Sequence, residues 1–494
     1  MDIIKKMKRL YLILISIILI SIFFRSYQLM ERFEFAHDGD LYSWIVKDIV
    51  VNHHFRLIGQ LTSSPGVFIG PLFYYLLIPF FLIFDMDPIG VSLLGIIVGV
   101  LTIISYYFVL SKLFNKTVGL VAAFLHAVLI ENIQFDRWIV PTLPTKLWAI
   151  WYLYVIIMIS RGNFSVFPIL GILIGLIWHV HIALVPTLLA VPVSLFIARK
   201  IPSIKILLLS GFTFILTSLP LILFESRHHF SQTTSILQNV IFPEGEENGF
   251  PKLIKVLEMI AKNISALLFS PQSIPENLKL PLLILLLSST FLLVHKKILK
   301  FKESLIIFTW IFAVILFFSI SRTQISEYYF ANLEVLFISI VSLLIYLMIK
   351  NFKPSLNITI IILTIILVKN LSFFIQDKPY QIGYTDRKAT IAFIAEDAKK
   401  HQFPCIGITY ISKFGDNFGF RYFLYLSKLH SVHPSLDVPV YNIVVPNELS
   451  GEVKEKFGHI GLIPPTSVPD TKIIEKSCQT PDTNLTDSVF GFVN

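Results

Sequence analysis

A chain of 494 residues that is 55% hydrophobic and only 15% charged is not an ordinary soluble domain, where charged residues make up about a quarter. Repeated passage through lipid is the reading this composition favours. The net charge of +9 would suit nucleic acid if it formed a patch. Instead the cations fall in short clusters between apolar runs, as in cytoplasmic loops of membrane proteins, which excludes nucleic acid as a partner. Two cysteines, Cys405 and Cys478, are too few for a disulfide framework or a four-ligand zinc site. Whether they bond to each other stays open at this level.

The N-terminus, MDIIKKMKRL before a long apolar run, has the layout of a signal peptide. No small-residue cleavage site follows and further spans do, so the run is expected to persist as a first helix. A span needs about 20 apolar residues. The runs that qualify, with flanking residues, are 10–24, 90–110, 118–133, 147–159, 167–184, 185–198, 206–224, 281–294, 305–320, 335–349 and 356–374, giving about eleven transmembrane helices. With Lys5, Lys6, Lys8 and Arg9 inside, alternation also puts Lys112/Lys116, Arg161, Arg199/Lys200/Lys205, Lys296/Lys297/Lys300/Lys302 and Lys350/Lys353 inside. All six basic segments then share one side, the positive-inside pattern.

The run 70–84 (GPLFYYLLIPFFLIF) breaks that count. It is short, opens on Gly-Pro and contains Pro79. If it crossed, every later basic loop would move outside, so it reads as embedded in the outer side without crossing. Ahead of it Leu41, Trp44, Ile45 and Ile49 recur at helical spacing opposite Ser43 and Lys47, which predicts an amphipathic helix lying in the interface. The expected organisation is a transmembrane domain over 1–376, with a first outer loop 25–89 carrying these interfacial helices, then a soluble domain over 377–494. That last segment is polar and Pro-rich. Helices over 390–401 and 418–429 and strands over 406–411 and 441–445 predict a small extracytoplasmic α/β domain.

In this topology the unusual polar residues gather on the outer side. They include His37-Asp38-Gly39-Asp40, Asp136-Arg137-Trp138 with Lys146, His179 and His181, Glu225-Ser226-Arg227-His228-His229, and Arg322 with Glu327-Tyr328-Tyr329. Charges beside hydrocarbon are costly, so the clustering marks a candidate site. Plainer readings compete. Asp38-Gly39 suits a turn and Asp40 a helix N-cap; His179 and His181, two apart on a helix, face different ways; His228-His229 suits a solvated loop; Arg137 could snorkel to headgroups.

The sharper reading is sugar transfer from a lipid-linked donor. It needs a carboxylate base for the acceptor hydroxyl, offered by Asp38 or Asp40. It needs cations for the departing phosphate, offered by Arg137 with Lys146 or Arg227. The pocket would draw on His37, Tyr74, Tyr75, His181, Glu225, His228, Glu327 and Tyr328, with the aromatic segment 70–84 as an apolar groove.

The stretch from HDGDLYSWIVKDIV through LIGQLTSSPGVFIGPLFYYLLIPFFLIFDMDP resembles the N-terminal part of GT-C membrane glycosyltransferases. The nearest group is the dolichyl-phosphate-mannose–protein mannosyltransferase-like superfamily, which includes the aminoarabinose transferases acting on lipid A. Arg137 before Pro141, the ESRHHF segment and an ectodomain after the last helix are similar too. The resemblance covers roughly residues 10–350. It implies an all-α polytopic GT-C-like fold with the C-terminal α/β domain outside, and Asp38 as base. Many members carry Glu after this Asp; here Gly39 and then Asp40 follow, leaving the division between Asp38 and Asp40 open. Asp-Gly-Asp could hold a divalent metal, as in related oligosaccharyl transferases, but the mannosyltransferase-like members are metal-independent and no cofactor is expected to be required.

The resulting expectation is an inverting glycosyltransferase in a prokaryotic plasma membrane. It would use a polyprenyl-phosphate sugar donor and a lipid, glycan or protein acceptor on the outer face, with membrane lipids around it. The alternative is a transporter or flippase of lipid-linked saccharides, a class that usually shows inverted repeats and mid-membrane charges. A non-catalytic scaffold would leave the acidic loop unexplained. Cysteines introduced into 377–494 are expected to react with an impermeant thiol reagent in intact cells. Labelling only after lysis would reverse the orientation.

Overall fold

Every apolar run singled out above is helical in the computed structural model, which describes residues 2–62, 64–241, 248–269, 273–351, 354–413 and 415–485. Lys353 of the last basic segment, and the end of the expected C-terminal domain over 486–494, lie outside the described residues. Among the described residues, six helices are long and apolar enough to cross a membrane: Pro88–Leu113, Ile204–Arg227, Glu276–His295, Phe301–Ile320, Glu327–Asn351 and Leu356–Gln376. A seventh candidate is a pair, Lys116–Val128 and Ile130–Arg137, bent by 63°. The remaining expected spans correspond to the shorter apolar helices Leu10–Ser26, Thr145–Ser160, Phe164–Val180 and Ile182–Ala198. The run 70–84 gives the 12-residue helix Leu72–Ile83 with Pro79 inside it. At 1.5 Å per residue that is about 18 Å, short of the roughly 30 Å hydrocarbon core.

The chain forms two compact units. The first comprises residues 1–26, 56–73 and 95–377 and is mainly helical among its described residues, with an irregular stretch over 56–71 that includes a Leu61–Phe68 bridge. Its best-packed pair is Phe167–Val180 against Ile204–Arg227. Gly171 and Gly175, four residues apart, present no side chain, so Ser210, Thr213 and Thr217 of the partner helix approach their backbone. Hydroxyls then reach across: Ser210 Oγ donates to Phe167 O at 2.8 Å and Thr213 Oγ1 to Pro168 O at 2.9 Å. Small residues at this spacing permit close approach where lipid supplies no hydrophobic drive. The unit also contains a helix with no counterpart in the sequence reading, Phe250–Phe269. Val256, Ile260, Ala261, Ile264 and Leu267 are buried along it, a helical stripe too interrupted by polar residues to read as a span.

The second unit comprises residues 27–55, 74–94 and 378–494, so two parts of the segment expected as the first outer loop group with the C-terminal residues, while 56–73 belongs to the first unit. The helix His37–Val51 forms where the stripe predicted one. Asp40, Ser43 and Asp48 are nevertheless buried along with Leu41, Trp44, Ile45 and Ile49. The unit also contains a mixed sheet of β1 (Ile406–Ser412), β2 (Ser431–Val432), β3 (Val440–Val445), β4 (Glu455–Phe457) and β5 (Ile460–Ile463), in the order β2-β1-β3-β5-β4. β1 pairs in parallel with β2 and β3, while β5 runs antiparallel to β3 and β4. The helix Tyr384–Lys400 buries Tyr384, Arg387, Ile391, Ile394 and Ala398, the three-and-four spacing of one face. It starts before the expected 390. The helix expected over 418–429 is only Arg421–Leu426, because Gly419 at φ +90° breaks the chain ahead of it.

Cys405 and Cys478 are joined, with Cα atoms 5.6 Å apart and a sequence separation of 73. The bridge packs against Val432, Val438 and Ile474. A loop of this length predicts about 4 kcal/mol of stabilisation through the unfolded state. Unreduced protein should therefore titrate with no free thiol. The Cys405→Ala/Cys478→Ala variant should lose up to that amount in denaturant unfolding followed by pulse proteolysis. Two free thiols in the unreduced protein would contradict the bridge.

Candidate functional site

The acidic motif belongs to the second unit. Asp38 and Asp40 occupy the first turn of His37–Val51, where the helix dipole favours carboxylates. Neither is a turn or a cap, since the helix already starts at His37 and Ala36 is its N-cap residue. A Cβ on Gly39 would stand 2.6 Å from the Phe35 ring, and Phe35 is fully buried. That close packing accounts for glycine where the resemblance leads one to expect glutamate.

The two carboxylates have opposite surroundings. The Asp38 side chain is 39% exposed, with its Oδ1 3.6 Å from His37 Nδ1. This contact with Asp38 holds the His37 imidazole above its ordinary pKa, burial pulling the other way. Asp40 is fully buried. Its Oδ1 accepts the backbone N–H of Tyr422 at 2.9 Å, while Oδ2 has no hydrogen-bond partner. Burial pushes its pKa from 3.8 up to about 6, against the Tyr422 hydrogen bond and the charges of Arg421, Arg387 and His37. Residues two apart on a helix do not share a face. Two such carboxylates, one among guanidinium groups, do not fit a divalent cation. Among the described residues no three His, Cys, Asp or Glu side chains cluster so as to hold a metal ion. Tyr74 is buried and Tyr75 half-buried on the Leu72–Ile83 helix.

The first unit holds the cationic candidates, and they separate into two groups. Lys146 is 1% exposed. Its Nζ lies 2.6 Å from Glu334 Oε2, 2.7 Å from Asn132 Oδ1 and 4.4 Å from the Phe135 ring centroid. Glu131 lies within electrostatic reach of Lys146, Glu334, Glu327 and Lys262, and Glu327 pairs with Lys262 at 2.5 Å. Tyr328 stands between Trp138 and His181, each 5.5 Å away ring to ring. His181 Nδ1 also accepts the Ala183 N–H at 2.9 Å. Arg137, at the end of the bent pair, donates to Phe24 O at 3.0 Å and lies 5.0 Å over Phe374. Its neighbour Asp136 is buried in an ion pair with Arg25 at 2.6 Å.

Arg227, Glu225 and His228 sit apart from these, at the end of Ile204–Arg227. Arg227 is exposed. Glu225 accepts the N–H groups of Gln232 and Thr233, each at 3.0 Å, and so caps the Ser231–Ile241 helix. His228 stacks on Phe224 with ring centroids 4.1 Å apart. Arg25, Glu131, Lys262, Glu334, Arg387 and Arg421 were missed by sequence reasoning. Glu131 and Glu334 carried a usable signal, a carboxylate within or beside an apolar run.

The sequence matches no family model, and no curated protein matches it either. Solved structures do. ArnT from Cupriavidus metallidurans bound to undecaprenyl phosphate superposes with a TM-score of 0.58 at 12% identity, covering 92% of this chain and 97% of that one. The same protein in the apo state gives 0.55 at 11% identity, with the same coverage. The chain has the GT-C fold. An oligosaccharyltransferase from Archaeoglobus fulgidus, in complex with zinc and sulfate, gives 0.49 at 13% identity, covering 86% of this chain and 62% of that one, too distant to carry an inference.

In this GT-C protein the raised pKa of Asp40 has a definite sign. The unfolded chain ionises Asp40 near 3.8, whereas the folded protein holds the proton to about 6. The stability this confers is complete below pH 3.8 and is lost as pH rises to 6. Above that, ionised Asp40 costs roughly 3 kcal/mol. Asp40→Asn keeps an acceptor for the Tyr422 N–H. It should raise unfolding stability at pH 7.5 by up to roughly that amount, with the gain fading towards pH 4. An equal change at both pH values would show that Asp40 ionisation is not what costs stability.

Proposed function

We propose that this protein transfers a sugar from a polyprenyl-phosphate donor to an acceptor at the outer face of the plasma membrane, with inversion and with Asp38 as general base. The observation that carries the reading is Asp38 itself. In a chain with the GT-C fold, it is the carboxylate of the acidic motif open to solvent, while Asp40 is buried against Tyr422. The solved ArnT structure contains undecaprenyl phosphate, which supports a donor of that lipid class.

In the reaction, the acceptor oxygen attacks the anomeric carbon as its proton passes to the Asp38 carboxylate. The bond from that carbon to the phosphate oxygen breaks, and the polyprenyl phosphate leaves with the electron pair. A single displacement inverts the anomeric centre. Arg137 is the first choice for the phosphate, since Lys146 is already balanced by Glu334; Arg227 is the exposed reserve. The N-terminus is assigned to the cytoplasm and the C-terminal residues to the outside. No step is routed through a metal.

The test uses full-length protein in nanodiscs with undecaprenyl-phosphate-linked mannose, galactose, glucose or aminoarabinose as probe donors, reading released undecaprenyl phosphate. Asp38→Asn should bind the accepted donor normally yet turn over about a hundredfold to ten-thousandfold more slowly. Arg137→Ala should weaken donor binding instead. Loss of turnover in Asp40→Asn but not Asp38→Asn would exchange their roles. No donor consumed by the wild type, with lipid-linked saccharide moved across a bilayer, would replace the transferase by a transporter.

A further inference from the structure

We propose that Arg387 is a positioning residue for the acidic motif: from the Tyr384–Lys400 helix it braces the segment 418–422, which holds Asp40 and packs on His37, and thereby sets where the Asp38 carboxylate stands. The inference rests on the reading of Asp38 as the base.

Arg387 is 3% exposed. Its Nε donates to Phe418 O at 2.9 Å, and its guanidinium lies on the Phe420 ring, 5.2 Å from the centroid. The Phe418 ring meets His37 edge-on at 4.8 Å. Two residues past Phe420, the Tyr422 N–H donates to Asp40. Between these points Gly419 has φ +90°, and a Cβ there would stand 2.7 Å from Arg387 Nε and 3.0 Å from Phe35 O. Only glycine lets the brace and the segment ahead of the motif helix approach so closely. The motif is tied to the same helix a second time, through the Tyr384 N–H on Phe33 O at 3.1 Å, and Phe35 packs on Phe423 at 4.8 Å.

A buried guanidinium costs several kcal/mol unless acids and acceptors surround it, so an aliphatic side chain would serve packing alone at lower cost. The acids facing Arg387 are Asp40, Asp416, Glu34 and Asp386. The charges facing Asp40 are Arg421, Arg387 and His37, and the Tyr410 and Tyr422 phenols lie within their reach. Arg387 therefore does two things at once. It fixes the backbone that presents Tyr422 and Phe418, and its charge favours ionised Asp40.

The experiment compares Arg387→Met, Arg387→Lys and Asp40→Asn, alone and combined, in full-length protein in nanodiscs with the probe donor the wild type consumes. Arg387→Met should lower kcat about tenfold to hundredfold, as expected for a base displaced by around an ångström, with donor KM within about twofold. It should also move the acid limb of the kcat–pH profile upward. Arg387→Lys should lower kcat while leaving the acid limb in place, because it keeps the charge and loses the fork. In the Asp40→Asn background Arg387→Met should still lower kcat, because the bracing of Phe418 is lost there too. Normal kcat and an unshifted limb in Arg387→Met, with Asp38→Asn inactive, would overturn the positioning role and leave the base standing. Full activity in Asp38→Asn would instead overturn the base reading. Should Arg387→Met fail to accumulate, Arg387→Lys decides alone: lowered kcat with an unmoved limb supports the proposal, and normal kcat overturns it.

Discussion

Charge neutralisation within the helices constrains this protein more than any other interaction. Arg25 meets Asp136 at 2.6 Å, Lys146 meets Glu334 at 2.6 Å, and Arg161 meets Glu303 at 2.6 Å. Each pair joins segments distant in sequence. Apolar packing alone specifies helix register weakly where the surrounding lipid is as apolar as the side chains. A buried charge that loses its partner costs about 3–5 kcal/mol, so the pairs penalise any sliding of one helix along another. The bent pair is held in this way: its second helix carries both Asp136, fixed by Arg25, and Asn132, fixed by Lys146.

The second unit handles its charges differently. Asp87 gathers the Tyr384 hydroxyl at 2.8 Å and Lys388 Nζ at 2.5 Å, while Asp40 takes a backbone N–H and keeps one oxygen unpaired. The same motif thus contains one carboxylate committed to structure and one left available. Such a division is what the role proposed for Asp38 requires, a group open to proton exchange but fixed in space.

Much of this was legible in the chain. Apolar runs located the helices because length and hydropathy decide membrane helices with little tertiary help. The strands over 406–411 and 441–445 were found within a residue of Ile406–Ser412 and Val440–Val445, being β-branched runs between turn signals. What was missed shares one cause. The two-to-four-residue strands β2, β4 and β5 owe their conformation to their neighbours, and the Phe250–Phe269 helix is amphipathic rather than apolar. Arg387 and Arg421 gave no local sign of their role, because the residue they serve, Asp40, lies more than 340 positions away. Glu334 is the opposite case, an acid beside an apolar run whose partner the sequence already offered in Lys146.

The second unit is discontinuous: its motif helix is encoded by residues 27–55 and its sheet by residues after 378. On a ribosome adding about 5–20 residues per second, roughly 20 to 75 seconds separate the emergence of Asp40 from that of Tyr422. Throughout that interval the acidic motif has neither its hydrogen-bond donor nor its guanidinium neighbours. The nascent chain therefore carries an unfinished segment 27–55 while the intervening helices are being made. The surroundings of Asp40 are completed last, once synthesis has passed Tyr422, and a chain truncated within the helical region would lack them.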